Sequence, residues 1–296
     1  MSALPSPPAQ RASVAELRER FRSGKAALLD HFAQSRAAAP AATALLKSLA
    51  RHVDQTLADL WQQAGMPSQA ALLAVGGYGR GELFPYSDVD VLVLLPNAQV
   101  GGVDAHSEVL RNTIEAFITA CWDIGLEIGS SVRTLDECLL EARADVTVQT
   151  ALLESRLLTG SRRMFNAFRR VNTEAMDPRA FLRAKTFEMR QRQVKYEDTP
   201  YSLEPNCKES PGGLRDLQVL AWIARAAGLG RTWAEMATHG LLTPFEVKRL
   251  QRHEGTLKLI RARLHLVARR REDRLVFDLQ TAVAESFGYQ GNTTMR

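Results

Sequence analysis

The stretch from residue 71 to residue 97 limits what this chain can fold into more than any other. Ala71-Leu72-Leu73-Ala74-Val75 is a short apolar run of the kind that forms a buried strand, and it runs straight into Gly76-Gly77. Gly79 and Gly81 follow. The stretch then reaches Ser87-Asp88, and Val89-Asp90-Val91-Leu92-Val93-Leu94-Leu95 reads as a second strand closed by Pro96-Asn97. Each part has a chemical use. Glycines let a backbone approach a phosphate closely and aim N–H groups at it. Side chains alternate along a strand, so Asp88 and Asp90 point to one face. Two carboxylates on one face can hold hard cations such as Mg²⁺ or Mn²⁺. Two such ions can clamp the attacking and leaving oxygens of an in-line displacement.

The flanking sequence places this segment in an α/β domain. Val14, Leu17, Phe21, Leu28, Leu29 and Phe32, then Leu45, Leu46, Leu49, Val53, Leu57, Leu60 and Trp61, recur at helical spacing before Gly65 and Pro67 stop the second helix. A helix from about Asp104 to Trp122 follows the second strand. Leu126-Glu127-Ile128-Gly129-Ser130-Ser131-Val132-Arg133 alternates as a third strand, and Thr134 with Glu137 forms a capping box for the next helix. Beyond Asp145 the pattern is helical over about 145–157, 161–176, 178–197, 213–228, 231–239 and 243–271, interrupted by a loop from Thr199 to Gly212. The expected architecture is an α/β (α+β) core with a short mixed sheet over 14–144, including N-terminal helices, followed by an all-α helical domain over 145–296. Residues 1–13 read as a disordered tail.

Composition narrows the class. Hydrophobic residues make up 45% and charged residues 24%, ordinary for a water-soluble globular chain. The three cysteines, Cys121, Cys138 and Cys207, have neither disulfide-framework nor zinc spacing, which fits a reducing, cytoplasmic compartment. No signal peptide and no bilayer-spanning run is present. The net charge of +5 is unevenly spread: residues 161–274 hold 24 Lys or Arg against 13 Asp or Glu, and the rest of the chain 14 against 20. An acidic, metal-binding part beside a basic surface for anions fits this split, and so does a merely solvated basic face.

The glycine cluster does not match Gly-x-Gly-x-x-Gly, and a strand follows it rather than a long helix, so a dinucleotide-binding turn is disfavoured. The combination of glycine turn and Asp88-x-Asp90 resembles the signature of the nucleotidyltransferase superfamily typified by DNA polymerase beta. That resemblance implies a third carboxylate from a later strand. Glu127 is the candidate, with Asp123 as the alternative.

The resemblance extends further. Gly76-Gly77-Tyr78-Gly79-Arg80-Gly81-Glu82-Leu83 through Asp90, Trp122 through Thr134, and Glu204 through Gln218 (containing Pro211-Gly212-Gly213-Leu214-Arg215-Asp216) resemble the bacterial uridylyltransferases of the nitrogen regulatory PII protein. The family implies transfer of UMP from UTP to a tyrosine hydroxyl of PII, with release of pyrophosphate. Under it Asp88, Asp90 and Glu127 are the metal-binding and catalytic carboxylates. Gly76, Gly77 and Ser87 contact the triphosphate with help from Arg80, and Lys208 and Arg215 face the nucleotide from the helical domain. Arg215 and Asp216 can equally serve as a structural ion pair or cap. Adenylyl transfer to glutamine synthetase and a non-catalytic nucleotide-binding regulatory module are the rival readings. A tRNA-type activity is disfavoured because no aromatic-rich RNA surface is apparent, so neither nucleic acid nor membrane is an expected partner. Full-length relatives continue into a His-Asp hydrolase region. None of the six histidines here is followed by Asp, so removal of UMP is not expected of this chain, which reads as a fragment cut within the helical domain.

Overall fold

In the computed structural model, residues 13–97, 107–196, 199 and 201–291 are described. Of the expected tail, residues 1–13, all but Ser13 lie outside them, as do the expected helix start at Asp104 and the last five residues; Ser13 belongs to the cap of the first helix rather than to a tail. Helix α1 (Val14–Gln34) starts at Ser13. The Ser13 hydroxyl accepts from the Glu16 N–H, and the Glu16 carboxylate accepts from the Ser13 N–H. Helix α2 (Ala39–Gln63) carries Pro40 in its first turn and ends just before Gly65, which takes φ +71°. There follow β1 (Ala71–Ala74), a single helical turn α3 (Gly76–Gly79), β2 (Val89–Leu95), α4 (Glu108–Asp123), β3 (Ile128–Thr134) and α5 (Leu135–Ala144). Next come α6 (Val146–Leu153), β4 (Arg156–Gly160), α7 (Arg162–Glu174), α8 (Pro178–Lys195), α9 (Leu214–Ala226), α10 (Trp233–Thr238), α11 (Pro244–Ala268) and α12 (Phe277–Ser286).

The four strands form one mixed sheet in the order β3-β2-β1-β4, with β2 and β3 parallel and β1 antiparallel to both neighbours. The period of two along each strand splits the core. Leu72, Ala74, Val91, Val93 and Leu95 face α2 and α4, packing with Leu46, Leu57 and Phe117. Leu73, Leu92 and Leu94 face the other way, onto Cys138, Ala142, Leu152 and Phe168 of α5, α6 and α7. Helix α11 returns across α2 and adds Leu259 and Ala262 to the first of these cores. Gly255 permits that approach, since a Cβ there would stand 2.9 Å from the Cβ of Ala39. Among the described residues no helix is long and apolar enough to cross a membrane.

The architecture, a small mixed sheet with helices, agrees with the sequence reading, and three local differences have physical reasons. The helix expected over about 145–157 ends at Leu153, and residues 156–160 are a strand. Their backbone groups complete the hydrogen bonding of β1, which would otherwise be a bare edge. The third strand begins at Ile128, opposite Val89, where its partner β2 also starts. The last long helix stops at Ala268, since Arg269 adopts φ +52° and turns the chain back toward the sheet. Helix α12 lies beyond the helical stretches recognised in the sequence.

Candidate active site

The site is built at the end of β1. The Val75 N–H donates to the Asp90 carbonyl at 3.0 Å, which holds the start of the glycine turn against the start of β2. Gly76 takes φ +54°, a left-handed conformation that favours glycine. Gly79 has a different reason: a Cβ there would stand 2.1 Å from the Glu154 carbonyl oxygen, so α3 can pack on the end of α6 only with glycine at this position. Tyr78 is buried, and its hydroxyl donates to Asp54 of α2, which also accepts from Arg156 of β4 at 2.7 and 3.0 Å. Burial, then the charge of Asp54, pushes the Tyr78 hydroxyl far above the ordinary phenol range, so it stays a neutral donor. The glycine turn is thereby pinned to a helix and an edge strand.

Asp88 and Asp90 follow from the strand period. The alternation that buries Leu92 and Leu94 carries Asp90 to the end of the same face, where the covering helices stop. Asp90 is exposed, yet its carboxyl is raised above the ordinary value, by partial desolvation first and by the charge of Asp88 second, with Arg271 and Lys208 opposing. Arg271, sent back by the turn at Arg269, pairs with Asp88. The Asp90 carboxylate also leans over the neighbouring strand: opposite it is Gly129, where a Cβ would lie 2.7 Å from Oδ1. Two hard oxygen donors at one end of a strand, repelling each other and cradled by glycines, fit a divalent cation.

Glu127 lies beside this pair. Continuing the register Asp90↔Gly129 back two residues sets it opposite Asp88, and it lines an open cavity of about 540 Å³ with Asp88 and Asp90. Among the described residues no three His, Cys, Asp or Glu side chains gather as a metal-holding group, so the expected three-carboxylate cluster is not assembled. The nearby Lys25 ammonium feels the Glu127 charge, which opposes the lowering that burial imposes on it. Asp123 is absent from that cavity's wall, and its backbone carbonyl accepts from Arg18 at 2.6 Å.

The remaining candidates meet in a second cavity of about 470 Å³. Gly76, Gly77, Ser87, Asp88 and Asp90 form one wall, and Lys208 and Arg215 face them. Gly213 makes the tight turn before α9, since a Cβ would come within 2.8 Å of the Lys208 and Ser210 carbonyls. Asp216 is a capping and pairing residue: it accepts from the Gly212 N–H at 2.7 Å and pairs with Arg192. Arg215 pairs with Glu209 at 3.0 Å, and Arg80 with Glu154 at 2.6 Å, while both remain on the cavity wall. The Lys208 ammonium is lowered from its ordinary value by burial first, then by the like charges of Arg215 and Arg261.

The sequence reading had not singled out Lys185, Arg192, Arg261 or Arg271, which line the same cavity. Two guanidinium nitrogens of Arg192, Nε and Nη1, are buried without a hydrogen-bond partner. The signal for these residues was the basic excess over 161–274, which says that anions are favoured without saying which side chains converge.

Residues 53–131 match the nucleotidyltransferase domain, and residues 180–296 match the GlnD PII-uridylyltransferase family. Over nearly its whole length the chain is similar to PII-uridylyltransferases. It is 56% identical over 286 residues to the bifunctional uridylyltransferase/uridylyl-removing enzyme of Cupriavidus pinatubonensis, covering 96% of this chain and 31% of that protein. The enzymes of the same description from Burkholderia mallei and Burkholderia pseudomallei are 56% identical over 276 residues, covering 93% of this chain and 31% of each. The chain thus spans about a third of the length of these relatives.

Proposed function

We propose that this chain transfers UMP from UTP to a tyrosine hydroxyl of the nitrogen regulatory PII protein, releasing pyrophosphate. The observation that carries the reading is the cavity in which Asp88, Asp90 and the glycine turn face Lys208, Arg192 and Arg215. The glycine turn leaves room for a phosphate chain, and the basic wall offers charge-assisted donors to it. Asp88 and Asp90 would hold Mg²⁺ or Mn²⁺, which when bound supplies charge neutralisation at the reacting phosphate and its leaving group. Arg271, paired with one oxygen of the exposed Asp88 carboxylate, would compete with a cation for it. Glu127, which shares a cavity with Asp88 and Asp90, would join them as the third carboxylate only after its side chain moves toward the pair, and it would then act on the incoming hydroxyl. The protein's contribution is positioning and charge stabilisation rather than a covalent step of its own. The soluble, cytoplasmic setting of the family accompanies this reading.

The test is incubation of the purified chain with PII or glutamine synthetase as acceptor, Mg²⁺ and labelled UTP or ATP, with Asp88→Ala and Asp90→Ala as controls. Label entering a PII tyrosine from UTP, and lost in both variants, is the expected result. Label entering only from ATP, or glutamine synthetase as the sole acceptor, would overturn the reading in favour of adenylyl transfer. Nucleotide binding without transfer would overturn it in favour of a regulatory module.

A further inference from the structure

On the far side of the Arg80–Glu154 pair lies another cavity, of about 610 Å³, walled by β4, α7, α9 and α10. Its carboxylates are already committed. Glu154 holds Arg80 at 2.6 Å, and Glu82 and Glu254 both hold Lys258, at 2.6 and 2.8 Å. Arg156 on the same wall is committed to Asp54. Three further arginines line this space from three separate places: Arg169 on α7, Arg225 on α9 and Arg231 ahead of α10. Among the described residues none of these three guanidiniums forms an ion pair, although Arg169 stands 5.8 Å from the Phe165 ring.

Convergence of like charges on one concavity, with Arg225 half-buried and Arg169 and Arg231 at its exposed rim, is unfavourable unless something of opposite charge enters it. Arg225 registers that cost. It is drawn down to about 10, by burial first and then by the charge of Arg231, with Glu154 opposing and Arg169 adding to the fall. The guanidinium fork matches phosphate oxygens better than any other cationic side chain. A volume of this size is in the range of small-molecule sites, about 300–1,000 Å³. Phe165 and Trp233 add apolar surface to the same wall.

We propose that Arg169, Arg225 and Arg231 form a second anion site, separate from the Asp88–Asp90 cavity, that binds the phosphate chain of a small molecule. The chain can be free polyphosphate or part of a nucleotide, and Phe165 and Trp233 are placed to meet a base if one is attached.

The probe is sodium tripolyphosphate in the presence of EDTA, titrated by calorimetry and by thermal melting. The comparison is among the wild-type chain, Arg225→Gln, Arg231→Gln, and Lys208→Gln, the last altered only at the other cavity. The expected result is a loss of affinity of about tenfold or more in Arg225→Gln and Arg231→Gln, with the phosphate-induced rise in Tm retained by Lys208→Gln. Without ligand, Arg225→Gln should melt no lower than wild type, because the substitution removes an uncompensated charge, so its loss of binding is not a loss of fold. A parallel titration with ATP separates the two sources: tighter binding than tripolyphosphate assigns the base to the aromatic wall, and equal binding assigns the phosphate chain alone. Tripolyphosphate affinity unchanged in both arginine variants, or lost only in Lys208→Gln, would overturn the proposal.

Discussion

Asp90 reaches over Gly129, and the absent side chain of that glycine is what lets it do so: a Cβ would sit 2.7 Å from Oδ1. A carboxylate on one strand therefore depends on the residue opposite it on the parallel neighbour. Gly129→Ala should displace the Asp90 carboxylate while leaving the exposed end of β3 otherwise intact. Transfer activity is expected to fall by about a hundredfold, the usual consequence of an ångström-scale misplacement, with Mn²⁺ affinity falling alongside it. Metal titration and melting of the variant check this; full activity with a normal Tm would contradict it.

The glycines of α3 should separate by consequence. A Cβ at Gly77 meets nothing closer than Arg80 Nη2 at 3.5 Å, an ordinary contact, whereas one at Gly79 meets the Glu154 carbonyl at 2.1 Å. Gly77→Val is expected to fold and to bind UTP at least about tenfold more weakly, because its branches fill cavity space beside Arg80 on the wall that Gly77 shares with Asp88 and Asp90. Gly79→Ala is expected to lose about 2 kcal/mol or more, the scale of overpacking against rigid backbone. Urea unfolding and UTP titration of the pair decide between these outcomes.

Arg192 holds Asp216 and carries two buried guanidinium nitrogens, Nε and Nη1, with no hydrogen-bond partner, although Nε lies 4.0 Å from the Glu209 carboxylate. If those nitrogens serve the triphosphate, Arg192→Lys should raise the KM for UTP by about tenfold, a cost of roughly 1.4 kcal/mol, with a smaller change in kcat. Steady-state kinetics at varied UTP measure it, and an unchanged KM would assign Arg192 to Asp216 alone.

Acid should destabilise the helical part through His265 and Asp273, which lie 3.3 Å apart beside Arg261. Burial chiefly keeps His265 below its ordinary value, so below about pH 6.5 the unfolded chain takes up a proton that the folded one refuses. Asp273 is held far below the carboxylate range: burial would raise it, but the His265 hydrogen bond and the Arg261 guanidinium outweigh that. Its contribution is complete above about pH 4 and is lost as pH falls toward its folded value. Melting temperature should therefore decline from pH 7 to pH 5 and more steeply below pH 4. Asp273→Asn, which strands Arg261 in a largely buried position, should lose about 3 kcal/mol at pH 7 and progressively less in acid. A deficit independent of pH would refute the assignment.

How much of this was legible in the sequence depends on the range of the interaction. Signals acting within a few residues were legible: the Thr134–Glu137 capping box, the helical period of α2, the apolar run of β1, and the alternation that sets Asp88 and Asp90 on one face. So was the pairing of a glycine turn with Asp-x-Asp, because both belong to one short connection between adjacent strands. Only the tertiary structure decided that residues 156–160 are a strand, since 156–157 pass as the end of the preceding helix and 158–160 show no pattern of their own until the edge of β1 needs partners. It alone decided that Gly129 makes way for Asp90 across a parallel pair, and that a left-handed turn at Arg269 sends Arg271 to Asp88. The basic excess was readable as charge, but whether each cation faces water, a carboxylate or a cavity depends on which helices pack together. Local pattern fixes backbone conformation and side-chain phase, whereas convergence of side chains distant in sequence is a property of packing.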